Sequence, residues 1–246
     1  MNKMFKSKLS KIYLSIEVLL LVALLVLQVI VMVQGHYISD KSVSIWTPIG
    51  LLKVSLTFIS LLTVVVALIL NKDKSLSTLD LLVIYFVLTV TADIFFSFSN
   101  VVWVAHLLFA ITYLLFIFIR KGKWFELFIP LGVALVSFLI LWLAVKMNPL
   151  TASIDSIVGA TLIFNVVMCW YKWNKTKDKL YLYFAIGVTF ILVSDLSIAV
   201  SSFIKNPMVL SNSILLINWP FYVSGNIFIV CNYLLAKTNG SVDILP

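Results

Sequence analysis

Eight long apolar runs alternate with short polar breaks along this chain. A run of about 20 predominantly apolar residues is the length that crosses a hydrocarbon core roughly 30 Å thick. Runs of that kind fall near 13–34, 45–70, 79–98, 101–119, 125–145, 153–171, 180–204 and 213–236. In lipid a lone segment must satisfy its own backbone N–H and C=O groups, so each run is expected as a helix. The pattern therefore predicts an all-α polytopic membrane bundle of about eight transmembrane helices. Eight spans and short loops leave no room for a separate soluble domain, so residues 1–246 are read as a single integral membrane domain.

The breaks carry the topology. On one side of the alternating spans lie Lys3, Lys6, Lys8, Lys11, Lys72, Lys74, Arg120, Lys121, Lys123, Lys172, Lys175, Lys177, Lys179 and Lys237, fourteen positive charges. The other side holds three, Lys41, Lys146 and Lys205, and Lys53 falls within a span. Because short cytoplasmic loops are enriched in Lys and Arg, this asymmetry predicts both termini on the cytoplasmic side, N-in and C-in. The lysines ahead of the first run resemble a signal peptide, but the run is too long and lacks a small-residue cleavage site, so an uncleaved first helix is expected.

Composition agrees with this picture and narrows the function. Hydrophobic residues make up 62% and charged residues 11% of 246, which no water-soluble domain of this size could carry without aggregating. The net charge of +8 sits in interhelical clusters rather than on one basic face, so it reports topology and not a nucleic-acid partner. High Lys and low Arg usage with short loops suggests a bacterial cytoplasmic membrane. Cys169 and Cys231 fall inside apolar runs, where a thiol acts as a small hydrophobe, and no Cys-x-x-Cys spacing points to a metal or a disulfide.

Ionisable groups inside a membrane are costly, so each needs a reason. Four stand out: Lys53, Asp93, His106 and Asp195. At a rise of about 1.5 Å per residue, Asp93 and His106 each lie roughly 8 Å in from the outer ends of spans three and four, which join through a short turn at Ser99 and Asn100. Lys53, Asp195 and Tyr222 come out at about 12–13 Å from the same side. Five reactive side chains from five helices are thus expected in one layer of the outer half of the bilayer. A lone buried Lys or Asp can also simply snorkel or pair with a neighbour. Glu17 is read as an interfacial anchor, His36 as a loop residue, and Asp80 and Asp155 as carboxylates at helix N-termini that need no function.

Several reaction classes lack their residues. There is no Gly-x-Ser-x-Gly elbow and no His-Glu-x-x-His, and His36 and His106 are the only histidines, so no metal and no cofactor is expected. What remains is acid–base chemistry by carboxylates, with one aspartate carrying its proton and the other ionised beside Lys53 or His106. A proton-coupled carrier or a lipid-binding membrane protein would use the same buried polar residues. An intramembrane aspartyl protease would also need two aspartates, but Thr91-Ala92-Asp93 is not its Gly-x-Gly-Asp pattern.

Five short segments carry a resemblance: Leu52-Lys53-Val54, Thr91-Ala92-Asp93, Ala105-His106-Leu107-Leu108-Phe109, Val193-Ser194-Asp195, and Tyr222 followed by Asn226. In order and spacing they are similar to the signature of the lysoplasmalogenase (YhhN-like) family: Lys-Pro, Gly-Asp, Ala-His-x-x-Tyr, Ser-Asp and Tyr-x-x-x-Gln. Val54, Ala92, Phe109 and Asn226 depart from it, while the charged positions are kept. The resemblance implies hydrolysis of the vinyl-ether bond of a lysoplasmalogen, a lysophospholipid, to a fatty aldehyde and a glycerophospho-alcohol. It further implies Asp93 and Asp195 as the acid and base in either order, with His106 tuning the pair or relaying protons. Lys53, Tyr222 and Asn226 would bind substrate or water. Spans three and seven each carry a small-residue–Asp pair, Ala92-Asp93 and Ser194-Asp195, a hint of two parallel halves.

Overall fold

The computed structural model describes residues 3–36, 46–71, 78–99, 101–203 and 208–236. Within them the chain forms eight long helices: α1 (Lys3–Val33), α2 (Trp46–Asn71), α3 (Thr78–Phe98), α4 (Val102–Ile119), α5 (Phe128–Leu139), α6 (Pro149–Thr176), α7 (Lys179–Phe203) and α8 (Met208–Ala236). A 3₁₀ turn, Trp124–Leu127, leads into α5 and a π-helical turn, Ile140–Ala144, follows it. Counting α5 with these two turns, all eight are long and apolar enough to cross a membrane. The fold is the expected all-α membrane bundle. Lys41, Lys72, Lys74, Lys205 and Lys237, which contribute to the charge count, lie outside the described residues.

Helix α6 starts four residues ahead of its expected edge. Asn148 caps it, its Oδ1 accepting from the Leu150 N–H at 3.0 Å and the Thr151 N–H at 3.4 Å, and Pro149 at the first position lacks the N–H that a helix start leaves idle. Asp155 consequently sits more than a turn inside α6, where the helix-end reading of this carboxylate does not apply. Asp80 does occupy the first turn of α3, as expected.

Helices α1 to α4 pack in sequence, α6 packs on α4, α7 on α6 and α8 on α7, and α8 closes back on α1 and α2. Helix α5 lies outside this ring against α6, and its Leu135 and Val136, with Ile140 and Leu143 of the π-helical turn that follows, stay exposed, as a lipid-facing surface requires. The tightest pairing is α7 with α8, and a glycine pair allows it. A Cβ on Gly187 would stand 2.9 Å from the Gly225 carbonyl oxygen, and one on Gly225 would stand 2.8 Å from that of Gly187. Small residues admit such close approach between membrane helices.

One core joins α1, α2, α3, α4, α6, α7 and α8. Phe116 of α4 is its aromatic centre: it stacks on Tyr85 at 5.0 Å and Tyr113 at 5.8 Å and meets the edge of Phe184 at 5.5 Å. The far end of α4 is clamped to α6. Buried Arg120 donates from Nε to Asn165 Oδ1 at 2.9 Å and from Nη2 to Glu126 at 2.5 Å, while Asn165 Nδ2 donates to the Tyr113 carbonyl at 3.0 Å. Arg120 is therefore a fully buried structural cation rather than a loop charge.

Glu17 differs from its expectation as an interfacial anchor. It lies about 9 Å along α1 beyond Lys11 and is only 1% exposed. Its carboxylate accepts from Ser60 Oγ at 3.0 Å, and Ser60 in turn bonds the Tyr13 hydroxyl at 2.8 Å. Pairing with α2 supplies what the interface would otherwise provide, since a buried polar group needs a partner. His36 lies beyond the end of α1, as a loop residue should, and its carbonyl accepts from Asn212 Nδ2 at 2.9 Å.

Candidate functional site

The site grows from side chains spaced three, four or seven apart, which share a helix face. On α2 these are Lys53, Thr57 and Ser60; on α3, Tyr85, Thr89 and Asp93; on α4, His106 and Tyr113; on α8, Tyr222 and Asn226. Asp195 comes from α7. The antiparallel α3–α4 pair and the close α7–α8 pair bring these faces together near the bundle end that carries the α3–α4 turn.

Asp93 and Asp195 are each held by a phenol from another helix. Asp93 Oδ2 accepts from Tyr222 at 3.2 Å and also takes a short hydrogen bond from Thr57 Oγ1. Asp195 Oδ2 accepts from Tyr113 at 2.7 Å. Tyr85, 1% exposed, lies within electrostatic reach of both carboxylates and donates to Asn226 Oδ1 at 3.0 Å. Asp195 lies within electrostatic range of Asp93, so the two carboxylates belong to one cluster.

The basic side chains divide between the carboxylates. Lys53 is buried, its charge is felt at Asp93, and its Nζ stands 5.3 Å from the centroid of the Trp219 ring, a cation–π contact. His106 acts on Asp195, but its hydrogen bond goes elsewhere: Nδ1 lies 2.6 Å from Asp155 Oδ1. Next to Asp195, Asn218 Nδ2 donates to both the hydroxyl and the carbonyl of Ser194, at 3.1 Å each, which fixes the backbone that presents the aspartate.

Access is uneven. Asp93 and Lys53 are 5% exposed, whereas the His106 and Asp155 side chains are each 31% exposed and Asp195 is half-buried. The open flank of the site is thus the α4–α6–α7 side.

All six residues singled out from sequence, Asp93, Asp195, His106, Lys53, Tyr222 and Asn226, line or adjoin this one cluster. Sequence reasoning missed Thr57, Tyr85, Tyr113, Asp155, Asn218 and Trp219. Thr57 was signalled by its four-residue spacing from Lys53 and Asp155 by the Asn-Pro cap upstream. Tyr85 and Tyr113 carried no signal, because a tyrosine in a membrane helix is ordinary. Among the described residues, no group of three or more His, Cys, Asp or Glu is placed to hold a metal ion. Chemically, the cluster offers two carboxylates with hydroxyl donors, one buried ammonium, and an imidazole at the accessible edge.

Residues 50–233 match the family model described as the YhhN family, which takes in every residue of the site. No curated protein and no solved structure matches this chain.

Proposed function

Because this chain belongs to the YhhN family, we propose that it is an intramembrane hydrolase that cleaves the vinyl-ether bond of lysoplasmalogens, releasing a fatty aldehyde and a glycerophospho-alcohol. The observation that carries the reading is the pair of carboxylates, Asp93 and Asp195, on different helices, each tied to a phenol and each within electrostatic reach of a basic side chain, Lys53 for Asp93 and His106 for Asp195. Vinyl-ether hydrolysis begins when an acid protonates the outer alkene carbon, which leaves an oxocarbenium ion. A carboxylic acid can supply that proton, and a second carboxylate can stabilise the cation that forms. Tyr222 and Tyr113 orient the two groups. Lys53 suits the substrate phosphate or an ionised Asp93.

Two of the departures from the family pattern are met locally. Where the pattern has a tyrosine this chain has Phe109, and one turn further on Tyr113 supplies the phenol that holds Asp195. Asn226, in place of glutamine, still presents an amide oxygen, which Tyr85 uses. A single-chain lipid would lay its tail among the helices with its head at the outer half of a bacterial cytoplasmic membrane, given the N-in, C-in orientation read from the loop charges. The test is to incubate purified protein with a lysoplasmalogen and with its saturated-ether analogue. Aldehyde from the first alone supports the hydrolase.

A second reading, a proton-coupled carrier, is favoured by one observation. The polar face of α2 continues from Lys53 and Thr57 to Ser60, which bonds Glu17 and Tyr13 of α1, so polar groups extend beyond the aspartates along the bundle. Aldehyde from neither substrate, with proton-linked uptake of a lysolipid into vesicles, would select it.

A further inference from the structure

We propose that Asp155 is a positioning residue for the same reaction, holding His106 with its proton on Nδ1 so that Nε2 is free to take a proton from the attacking water. This rests on the hydrolase reading. The geometry is specific: Asp155 Oδ1 lies 2.6 Å from His106 Nδ1, bridging α6 and α4. An ionised carboxylate can only accept, so the shared hydrogen belongs to Nδ1, and the neutral ring then has its lone pair on Nε2. Phe96 of α3 stacks on the ring, with centroids 6.3 Å apart and planes at 17°, limiting its rotation. Both members of the pair are 31% exposed at the open flank, and His106 is within electrostatic range of Asp195.

The step balances. The carboxylic acid of the aspartate pair gives its proton to the outer vinyl carbon, the alkene electron pair forming the new C–H bond and leaving an oxocarbenium ion and a carboxylate. Water adds to the cationic carbon while one of its protons passes to His106 Nε2, giving a neutral hemiacetal and an imidazolium whose charge faces Asp155. Collapse of the hemiacetal breaks the C–O bond to the glycerol. The departing oxygen takes the imidazolium proton, and the hemiacetal hydroxyl proton returns to the carboxylate. One water is consumed and every side chain is restored.

The test separates this role from packing and from the hydrolase reading. His36→Gln leaves His106 as the single imidazole, and ¹⁵N spectra of histidine-labelled protein in detergent then report its tautomer without any turnover. The expected result is a protonated Nδ1 in this background, lost in Asp155→Ala and kept in Asp155→Asn, whose amide oxygen accepts the same hydrogen bond. Aldehyde release should fall about 10²-fold in Asp155→Ala, the lower end of what a general base contributes, with KM little changed. An unchanged His106 tautomer in Asp155→Ala, or activity that falls only as far as folded protein is lost, would overturn the proposal. A wild-type chain that releases no aldehyde yet shows the Asp155-dependent tautomer would overturn the hydrolase reading and the catalytic step, leaving Asp155 as the partner that orients His106.

Discussion

The hydroxyl of Tyr113 donates to Asp195 Oδ2 at 2.7 Å, joining α4 to α7 across the centre of the bundle. Tyr222 makes the matching connection from α8 to Asp93 on α3 at 3.2 Å. Each carboxylate thus takes its orientation from a helix other than its own, and the phenols themselves are seated by aromatic packing, Tyr113 against Phe116 and Tyr222 against Trp219. The reactive geometry is a property of four packed helices rather than of any one motif.

Replacing Tyr113 with Phe keeps the ring in its stack and removes only the hydrogen bond. A hydrogen bond to a charged group contributes about 1.5–3 kcal/mol, so aldehyde release should drop roughly 10- to 100-fold if Asp195 must be held in place during the reaction. Tyr222→Phe should act alike on Asp93. Turnover assayed on detergent-solubilised protein decides it, and full activity in both variants would remove the phenols from the mechanism.

The glycine contact between α7 and α8 predicts a stability effect with an internal control. In Gly187→Ala the new methyl meets the Gly225 carbonyl at 2.9 Å, so the helices must separate, at a cost of about 1–3 kcal/mol. Gly132 on α5 has open space where its Cβ would go, and Gly132→Ala should be neutral or stabilising by up to about 1 kcal/mol. Thermal melts of the two variants should move in these different directions; equal melting temperatures would show that the α7–α8 approach is not set by the glycines.

Loop charge predicts the orientation. Cysteine labels introduced at Lys41 and Lys205 should react with an impermeant reagent from outside intact cells, and labels at Lys74, Lys123 and Lys177 should not. Labelling at Lys123 from outside would invert the bundle and put the aspartates in the cytoplasmic half.

How far the sequence could be read follows from which signals lipid enforces. A hydrocarbon core admits few backbone solutions, so long apolar runs gave the helices and their number, and the cost of intramembrane charge singled out Lys53, Asp93, His106 and Asp195. Buried hydroxyls and amides carry no such cost signal. Tyr85, Tyr113 and Asn218 therefore became visible only when packing showed which groups they serve. Asp155 was misread because apolarity alone set the start of α6 too late, hiding the carboxylate's place inside the helix. Glu17 was misread for the converse reason: a carboxylate near a span end resembles an anchor until the neighbouring helix supplies its partner.

The central claim is that Asp93 and Asp195 act together as an acid/base pair, and Asp→Asn substitution tests it most directly. Asn keeps size and is cheaper to bury than a carboxylate, so both variants should fold. Aldehyde release from a lysoplasmalogen should fall by about 10²–10⁴-fold in Asp93→Asn and in Asp195→Asn, and the double variant should be little worse than the worse single one, because the two act as a unit. Release and melting temperature should be measured on the same solubilised samples. Loss of turnover with melting unchanged is the result this account predicts; near-normal turnover in both single variants, with stability intact, would contradict it.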